Sequence, residues 1–349
     1  MTVYKKNIAY TKTPLTTQYE YKDYFKIYPF TSDAGPKNKA ARHFPCVIEL
    51  TYQEEEVKDV KPFDLENVDK MISETATQTN KLIEITNLLS AITNYRFFFY
   101  RNPETYWAMP IPEGDKEGIN DMKSEWSFSL FYYPDLAKEF QISKSFTETK
   151  FSPTKLVTPR RYYFYNPVES IEKEIDFPDD IDSIIANYKS LSTKDKLVCD
   201  SAIFMLCNGL DLMDRMKSLS FVSVVSSIET LVHHEFRDEE IEYECSDCKT
   251  LKSSSRNCAK CGRPIWGVTA KFREFLFKYV SNDKQAKKMY DKIYSIRSKI
   301  SHTDYLISGE NFLNWDFSKT TDEIYLNHIE AVQLSRRAIS NWLRKRASR

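Results

Sequence analysis

The chain has 349 residues, and its 50 Lys and Arg balance its 50 Asp and Glu, so the formal net charge is zero. This balance excludes a chain that attracts polyanions over its whole surface, and any contact with nucleic acid must therefore be local. The 22 Tyr and 22 Phe with only 7 Gly exclude collagen-like and glycine-rich disordered classes. The length is sufficient for two domains.

Residues 1–180 are predicted to form an N-terminal mixed α/β domain with a sensing or regulatory role. Residues 43–52 have strand composition, and the apolar spacing from 65 to 93 predicts one long helix. Aromatic segments separated by Pro, Gly and Asp predict further strands at 95–100, 105–112, 126–133 and 160–165. The last segment mixes cations with aromatics, as nucleic-acid surfaces do, but a half-buried strand is the simpler interpretation.

Residues 181–349 are predicted to form an all-α bundle that follows an acidic, proline-containing hinge at 176–181. Ser192-Thr-Lys-Asp195 has the form of a helix capping box. Helices are predicted at 197–216, at 219–236, from 269, at 284–301 and at 321–346. The predicted fold class is thus α+β. Six cations in residues 336–349 either complement the dipole of the last helix or contact phosphate.

Four of the seven cysteines have the spacing of a zinc site. Cys245 and Cys248 form one Cys-x2-Cys pair, and Cys258 and Cys261 form a second pair, with nine residues between the pairs. Together they supply four thiolates for tetrahedral zinc. Because the set is complete, the predicted role is structural, in a zinc finger inserted at 240–266. Disulfides are the alternative, but no secretory feature supports them. The other three cysteines are predicted to be small buried side chains: Cys46, Cys199 and Cys207.

The stretch Arg297-Ser-Lys-Ile-Ser-His302, at the end of the helix predicted at 284–301, offers two groups suited to phosphate chemistry. A guanidinium holds phosphate through a fork of hydrogen bonds, and an imidazole transfers a proton near neutral pH. On a helix, the five-residue offset separates the two side chains by about 140°. They therefore share one face only if the helix ends between them. Otherwise they can line a groove between helices or between two copies of the chain. A chance pair on a solvated surface is the alternative.

This motif and the helices that precede it resemble the Arg-x4-His signature of HEPN domains, in particular the ApeA-like branch of bacterial anti-phage systems. The resemblance covers residues 190–347 and includes Glu229 in the stretch Ser-Ser-Ile-Glu-Thr-Leu-Val. Many members have Asn, Asp or His after the arginine, where this chain has Ser298. Some toxin members have a Tyr two positions after the histidine, whereas Tyr305 lies three positions after it.

The resemblance implies a metal-independent endoribonuclease in which Arg297 and His302 from two protomers form one site and leave 2′,3′-cyclic phosphate ends. The implied role is toxicity in anti-phage defence, by abortive infection. Ser298 and Glu229 are expected as supporting residues, and Glu229 either orients Arg297 or forms a structural ion pair with it. The expected partners are RNA, with tRNA among the candidates, a second copy of the chain, and a phage-derived activator.

Two alternatives to this function stay open. One is a non-catalytic HEPN-like module that binds RNA or a partner. The other is a toxin component controlled by a nucleotidyltransferase partner. A cytoplasmic location without a membrane segment is expected in each case, because the sequence has no signal peptide and no apolar run of about 20 residues.

Overall fold

The structure of the chain is a computed structural model, which describes residues 1–11, 15, 17–29, 44–53, 68–93, 95–99, 143–149, 177–213, 215–237, 243–244, 249, 251–252, 267–303, 305–307, 310 and 321–346. The chain divides into two compact units. The first comprises Met1–Tyr165 with Glu169–Asp179, and the second comprises Asn166–Val168 with Asp180–Arg349. Each unit is described by itself below.

The first unit contains a five-stranded antiparallel sheet with the order β2-β3-β4-β1-β5. Its strands are β1 (Thr2–Thr11), β2 (Tyr19–Tyr21), β3 (Phe25–Pro29), β4 (Phe44–Gln53) and β5 (Phe97–Phe98). The central strands β1 and β4 pair along their whole length, from Thr2 opposite Gln53 to Thr11 opposite Phe44. β4 is the middle strand of the five, with β3 on one side and β1 on the other.

Residues on both faces of β4 are buried, including the carboxylate of Glu49. This carboxylate accepts hydrogen bonds from the Tyr28 hydroxyl at 2.6 Å and from the Thr147 backbone N–H at 2.9 Å. Helix α1 (Val68–Ile92) contacts the same sheet, since Lys81 donates to the Thr51 carbonyl and Lys5 of β1 reaches Gln78 at 2.9 Å. The buried carboxylate of Glu49 is therefore paired rather than left without a partner.

The prediction of a strand at 43–52 is confirmed by β4, and the predicted long helix is confirmed by α1. The predicted strand at 95–100 is shorter than expected, because only Phe97 and Phe98 pair with β1. The strands predicted at 105–112, 126–133 and 160–165 lie outside the described residues.

The second unit is helical, with one small hairpin. Its described helices are α2 (Ile181–Lys189), α3 (Thr193–Leu212), α4 (Lys217–Glu235), α5 (Val268–Tyr279), α6 (Lys284–His302) and α7 (Thr321–Arg346). The hairpin strands are β6 (Tyr243–Glu244) and β7 (Leu251–Lys252). A sheet in one unit and helices in the other confirm the α+β class.

Helices α3 and α4 form a hairpin that packs closely at Gly209. A Cβ atom at this position would lie 2.5 Å from Cγ2 of Val224, so only glycine permits the approach. The predicted cap is confirmed, since the Ser192 side chain accepts the Asp195 backbone N–H at 3.1 Å. The prediction that this helix continues to residue 216 is wrong: it ends at Leu212, and Met216 already caps α4.

The cations at the end of α7 hold the helices of the second unit together. Arg344 binds the carboxylate of Asp180 ahead of α2, and Arg346 donates to Glu235 at the end of α4 at 3.1 Å. Burial alone would raise the pKa of Glu235, but the hydrogen bond from Lys278 and the charges of Lys278 and Arg346 hold it below its ordinary value. Of the two interpretations of this cation cluster, Arg344 and Arg346 favour the structural one.

His328 of α7 is buried against the α3–α4 hairpin. Its Nε2 lies 2.9 Å from Oγ of Ser220, whose hydroxyl donates to the Gly209 carbonyl at 2.6 Å. The Ser220 oxygen must therefore accept from the imidazole, so Nε2 carries a proton. Burial, with a smaller effect from the charge of Lys217, lowers the pKa of His328 from 6.5 to about 4.

We predict that His328 makes folding stability depend on pH between about 6.5 and about 4. In this window the unfolded chain binds a proton at His328 that the folded chain does not, so stability is lost as the pH falls. The loss from about pH 7.5 to about pH 5 should be about 2 kcal/mol. Urea unfolding should show this loss for the natural chain and a smaller loss for His328→Gln. Equal losses for the two proteins would show that His328 does not titrate in this way.

Candidate functional site

Helix α6 carries both residues of the predicted catalytic pair, and it is capped at each end. The Asp283 side chain accepts the Ala286 backbone N–H at 2.7 Å, and the Thr303 backbone N–H closes on the Lys299 carbonyl at 2.9 Å. His302 is the last helical residue, so the helix does not end between Arg297 and His302. Their side chains therefore leave the helix axis about 140° apart.

Arg297 lies on the side of α6 that faces the helical core. It follows buried Tyr290 by seven residues and buried Ile293 by four, and thus continues the same stripe. Its guanidinium donates from Nε at 3.2 Å and from Nη2 at 3.0 Å to a single oxygen, Oε2 of Glu229 on α4. The side chains of Arg297 and Glu229 are only 21% and 17% exposed. A partly buried charge is thus paired with its counter-charge.

Glu229 is held in turn by two other side chains. The Ser226 hydroxyl donates to Oε2 at 3.3 Å, and the Tyr294 hydroxyl donates to the same carboxylate. Burial first, and then the charge of Glu229, raise the pKa of Tyr294. This arrangement fixes the plane of the guanidinium of Arg297. Its Nη1 makes no hydrogen bond to any described residue, so Nη1 has donors available for an anion.

His302 is exposed at the C-terminal end of α6, and the chain after it is anchored to α4. The Ile307 backbone N–H donates to Oγ of Ser218 at 2.8 Å, and the Ser218 backbone N–H donates to Glu310 at 3.0 Å. The Glu310 carboxylate therefore lies next to the first turn of α4, whose N-cap residue Met216 makes no side-chain capping bond. The helix on one side and this anchored segment on the other define the position of His302.

The structure therefore brings Arg297 and Glu229 together and leaves His302 on another side of the same helix. Ser298, predicted as a supporting residue, is half-buried on α6. Sequence reasoning missed Ser226 and Tyr294. Helical spacing could have identified them, since Ser226 precedes Glu229 by three residues and Tyr294 precedes Arg297 by three.

The four predicted zinc ligands, Cys245, Cys248, Cys258 and Cys261, lie outside the described residues. Strands β6 and β7 flank the first pair, with Glu244 opposite Leu251. Lys249, which directly follows Cys248, has a φ of 56°, in the left-handed region that favours glycine. Gly262 holds the equivalent sequence position after Cys261.

Zinc thus stays a prediction for this set, and the described turn geometry is compatible with it. Within the part of the chain that the structure describes, no other group of potential metal ligands occurs.

The three remaining cysteines are buried and unbonded to one another, as predicted: Cys46, Cys199 and Cys207. Burial raises the pKa of the Cys46 and Cys199 thiols. Both therefore stay protonated at neutral pH, which makes them poor nucleophiles.

Comparison of the chain with protein-family models, with curated proteins and with solved structures found no match. The resemblance to HEPN domains accordingly rests on the Arg297–His302 motif and its helical setting. No helix in the described ranges is both long enough and apolar enough to cross a membrane.

We predict that Glu229→Gln lowers the free energy of unfolding by about 1–3 kcal/mol, because Arg297 keeps a partly buried charge without its partner. The double variant Glu229→Gln/Arg297→Met should recover part of this loss, since the unpaired charge is then absent. Chemical denaturation of the single and double variants measures both effects. Glu274→Gln, at an exposed position on α5, is the matched control and should change little. If the stability loss of the double variant equals the sum of the losses of Glu229→Gln and Arg297→Met, the pairing is contradicted.

We also predict about one zinc per chain, held by the four thiolates. Metal analysis of freshly purified, reduced protein measures the stoichiometry. Cys258→Ser should lose the zinc and lower the melting temperature, because metal binding is coupled to local folding. Cys199→Ala removes a buried thiol from α3 and should keep the zinc. Reduced protein without zinc would refute the prediction.

Proposed function

We propose that this chain is a metal-independent endoribonuclease of the HEPN type that acts in anti-phage defence. The observation that carries the proposal is the pair of groups on α6. Arg297 is oriented by Glu229, and its Nη1 makes no hydrogen bond within the described ranges. An exposed imidazole follows at the end of the same helix. A preorganised cation and a group that transfers protons near neutral pH are two parts that RNA cleavage needs.

RNA supplies the nucleophile of the proposed reaction, its own 2′-hydroxyl. The 2′-oxygen attacks the adjacent phosphorus, the bond from phosphorus to the 5′-oxygen breaks, and a proton moves from the first oxygen to the second. His302 accepts the proton from the 2′-hydroxyl or donates one to the 5′-oxygen. Arg297 donates hydrogen bonds to the non-bridging oxygens, on which negative charge builds up. The products are a 2′,3′-cyclic phosphate and a 5′-hydroxyl.

The proposed site is composite. One α6 helix directs Arg297 and His302 about 140° apart, so the two side chains of one chain do not converge on one phosphate. A two-fold homodimer through the helical unit would place Arg297 of one copy near His302 of the other. The proposal therefore makes the dimer the catalytic species.

Exposed apolar side chains on α3 support self-association of the helical unit. Leu197 is 69% exposed and Phe204 is 51% exposed, and both lie on one side of the helix with Met205, at offsets of seven and eight residues. Large apolar side chains grouped on a surface commonly mark a contact with another chain. The homodimer is a proposal that these residues support.

A non-catalytic RNA-binding module is the second candidate, and one observation favours it. Arg297 is already bound to Glu229, on the side of α6 away from His302. In such a module Arg297 and His302 would bind RNA without cleaving it. Incubation of purified protein with RNA in EDTA separates the two candidates, because only a metal-independent nuclease yields shorter products.

We predict that His302→Ala and Arg297→Lys each lower RNA cleavage by about 10²–10⁴-fold. Removal of His302 deletes the group that transfers the proton, and lysine at 297 keeps the charge but lacks the guanidinium fork. The double variant should be little worse than either single variant, since the residues act as one unit. Gel analysis of a labelled RNA in EDTA measures the rates, and an RNA with a 2′-deoxy nucleotide at the scissile position should resist cleavage.

Controls separate loss of chemistry from loss of fold. His302 is exposed, so His302→Ala should leave the melting temperature unchanged, and His233→Ala removes another exposed imidazole, on α4, without loss of cleavage. Cleavage of DNA, a requirement for magnesium, or full activity of His302→Ala would refute the proposed function.

A further inference from the structure

A short segment of the first unit, residues 143–149, crosses one face of the five-stranded sheet, and we call it the strap. Its first residue pairs with β1, since the Ser143 backbone N–H donates to the Tyr4 carbonyl at 2.9 Å and the Tyr4 N–H donates back at 3.0 Å. At its other end, the Thr149 hydroxyl donates to Oε1 of Gln18, just ahead of β2, at 2.5 Å. The strap therefore begins at the edge of β1 and extends across the sheet toward β2.

The main chain of Thr147, in the middle of the strap, is bound by two charged side chains of the sheet. Oε2 of Glu49 accepts the Thr147 N–H at 2.9 Å, and Nζ of Lys26 donates to the Thr147 carbonyl at 2.8 Å. Lys26 and Glu49 lie opposite each other on β3 and β4. In an antiparallel sheet, the N–H and C=O of one residue are bound in this way by the neighbouring strand. For Thr147, two side chains take the place of that strand.

Both charged side chains are buried, because Glu49 is 1% exposed and Lys26 is 7% exposed. Each charge has another partner: Glu49 accepts the Tyr28 hydroxyl at 2.6 Å, and Lys26 lies 3.4 Å from the carboxylate of Glu20. Buried charges that are paired in this way seldom stabilise a protein more than apolar side chains of similar volume. What an apolar pair lacks is a donor and an acceptor for a main chain. Recognition of a main chain therefore explains the pair better than stability does.

The strap itself is only loosely covered. Lys144, Ser145 and Glu148 are exposed, and the other four residues are half-buried. Phe146 is the single large apolar side chain of the strap, and its ring meets the ring of Tyr4 edge-on at 4.7 Å between centroids. Segments with few buried apolar contacts open locally without global unfolding. The strap can therefore leave the sheet while the strands beneath it stay folded.

We propose that this face of the sheet binds an extended peptide of another polypeptide, and that the strap is the internal segment that occupies the site. The peptide would offer the N–H and C=O of one extended residue to Glu49 and Lys26. An aromatic side chain one position earlier would contact Tyr4, as Phe146 does. Main-chain hydrogen bonds give such a site affinity, and the aromatic contact gives it register. The proposal concerns the first unit alone and is independent of the ribonuclease function.

Binding of the strap sequence as a separate peptide tests this site in the full chain. The probe is a fluorescent peptide with the sequence of residues 141–150, and fluorescence anisotropy measures its affinity. Thr147→Pro removes the N–H that Glu49 accepts and should release the strap. This variant should bind the peptide at least about tenfold more tightly than the natural chain, in which the tethered strap competes at high effective concentration. Thr147→Ala keeps the N–H and should bind the peptide no better than the natural chain.

Two further changes test which groups hold the peptide. Lys26→Met in the Thr147→Pro chain removes the donor to the carbonyl, and the affinity should fall roughly tenfold, as expected for a hydrogen bond to a charged group. The fold should be kept, because an apolar side chain of similar length replaces a buried one. A peptide that carries the change Thr147→Pro itself should not bind.

Three results would overturn the assignment. They are a folded Thr147→Pro chain that binds the peptide no more tightly than the natural chain does, equal binding of the peptide that carries the proline, and an affinity that Lys26→Met leaves unchanged. If circular dichroism shows that Thr147→Pro does not fold, Phe146→Ala is measured in its place. This change removes the ring contact with Tyr4 and keeps the backbone bonds, and it should tighten peptide binding roughly fivefold. An affinity equal to that of the natural chain would then refute the proposal.

Discussion

The ion pair between Arg297 and Glu229 defines the rotation of α6 about its axis in the helical unit. Arg297 continues the stripe formed by Tyr290 and Ile293, and its bond to α4 holds this side of the helix inward. By the helical repeat, His302 must then point outward. An apolar residue could hold α6 against the core as well or better, because burying an ion pair costs much of what its attraction returns. In the proposed function the guanidinium has a further use, because its Nη1 makes no hydrogen bond to any described residue and could donate to an anion.

Cationic side chains have different roles at two places in this unit, and their partners decide which role they have. The arginines in the last turn of α7 are bound by Asp180 and Glu235, so they join helices rather than contact solvent ligands. The lysines of α6 are directed outward, and Asp291 among them is bound by Arg273. In the proposed mechanism the C-terminal end of α6 transfers the proton, and its inner side donates hydrogen bonds to the phosphate.

The sequence predicted α6 to within one residue, because its apolar stripe is regular and begins directly after an aspartate that can cap it. The residue that the prediction left out is His302. Because His302 belongs to the helix, its side chain and that of Arg297 leave the helix axis in different directions. Strand β1 was not predicted. Its partners in β4 lie about 40 positions away along the chain, and no local pattern in Thr2–Thr11 indicates that these strands pair. The contact between Arg297 and Glu229 was expected from the resemblance and not from any local pattern, because a spacing of 68 residues does not show which helices pack together.

Subunit complementation tests the central claim, that divergence of the pair on α6 requires a site shared by two chains. Arg297→Lys and His302→Ala chains are coexpressed with different tags, and the mixed dimers are compared with each parent and with the natural protein in EDTA. A shared site predicts that an unselected mixture recovers roughly a quarter of the natural activity, since half of the dimers are mixed and each has one intact pair. A mixture as inactive as its parents, or a natural chain that cleaves RNA as a monomer, would contradict the account.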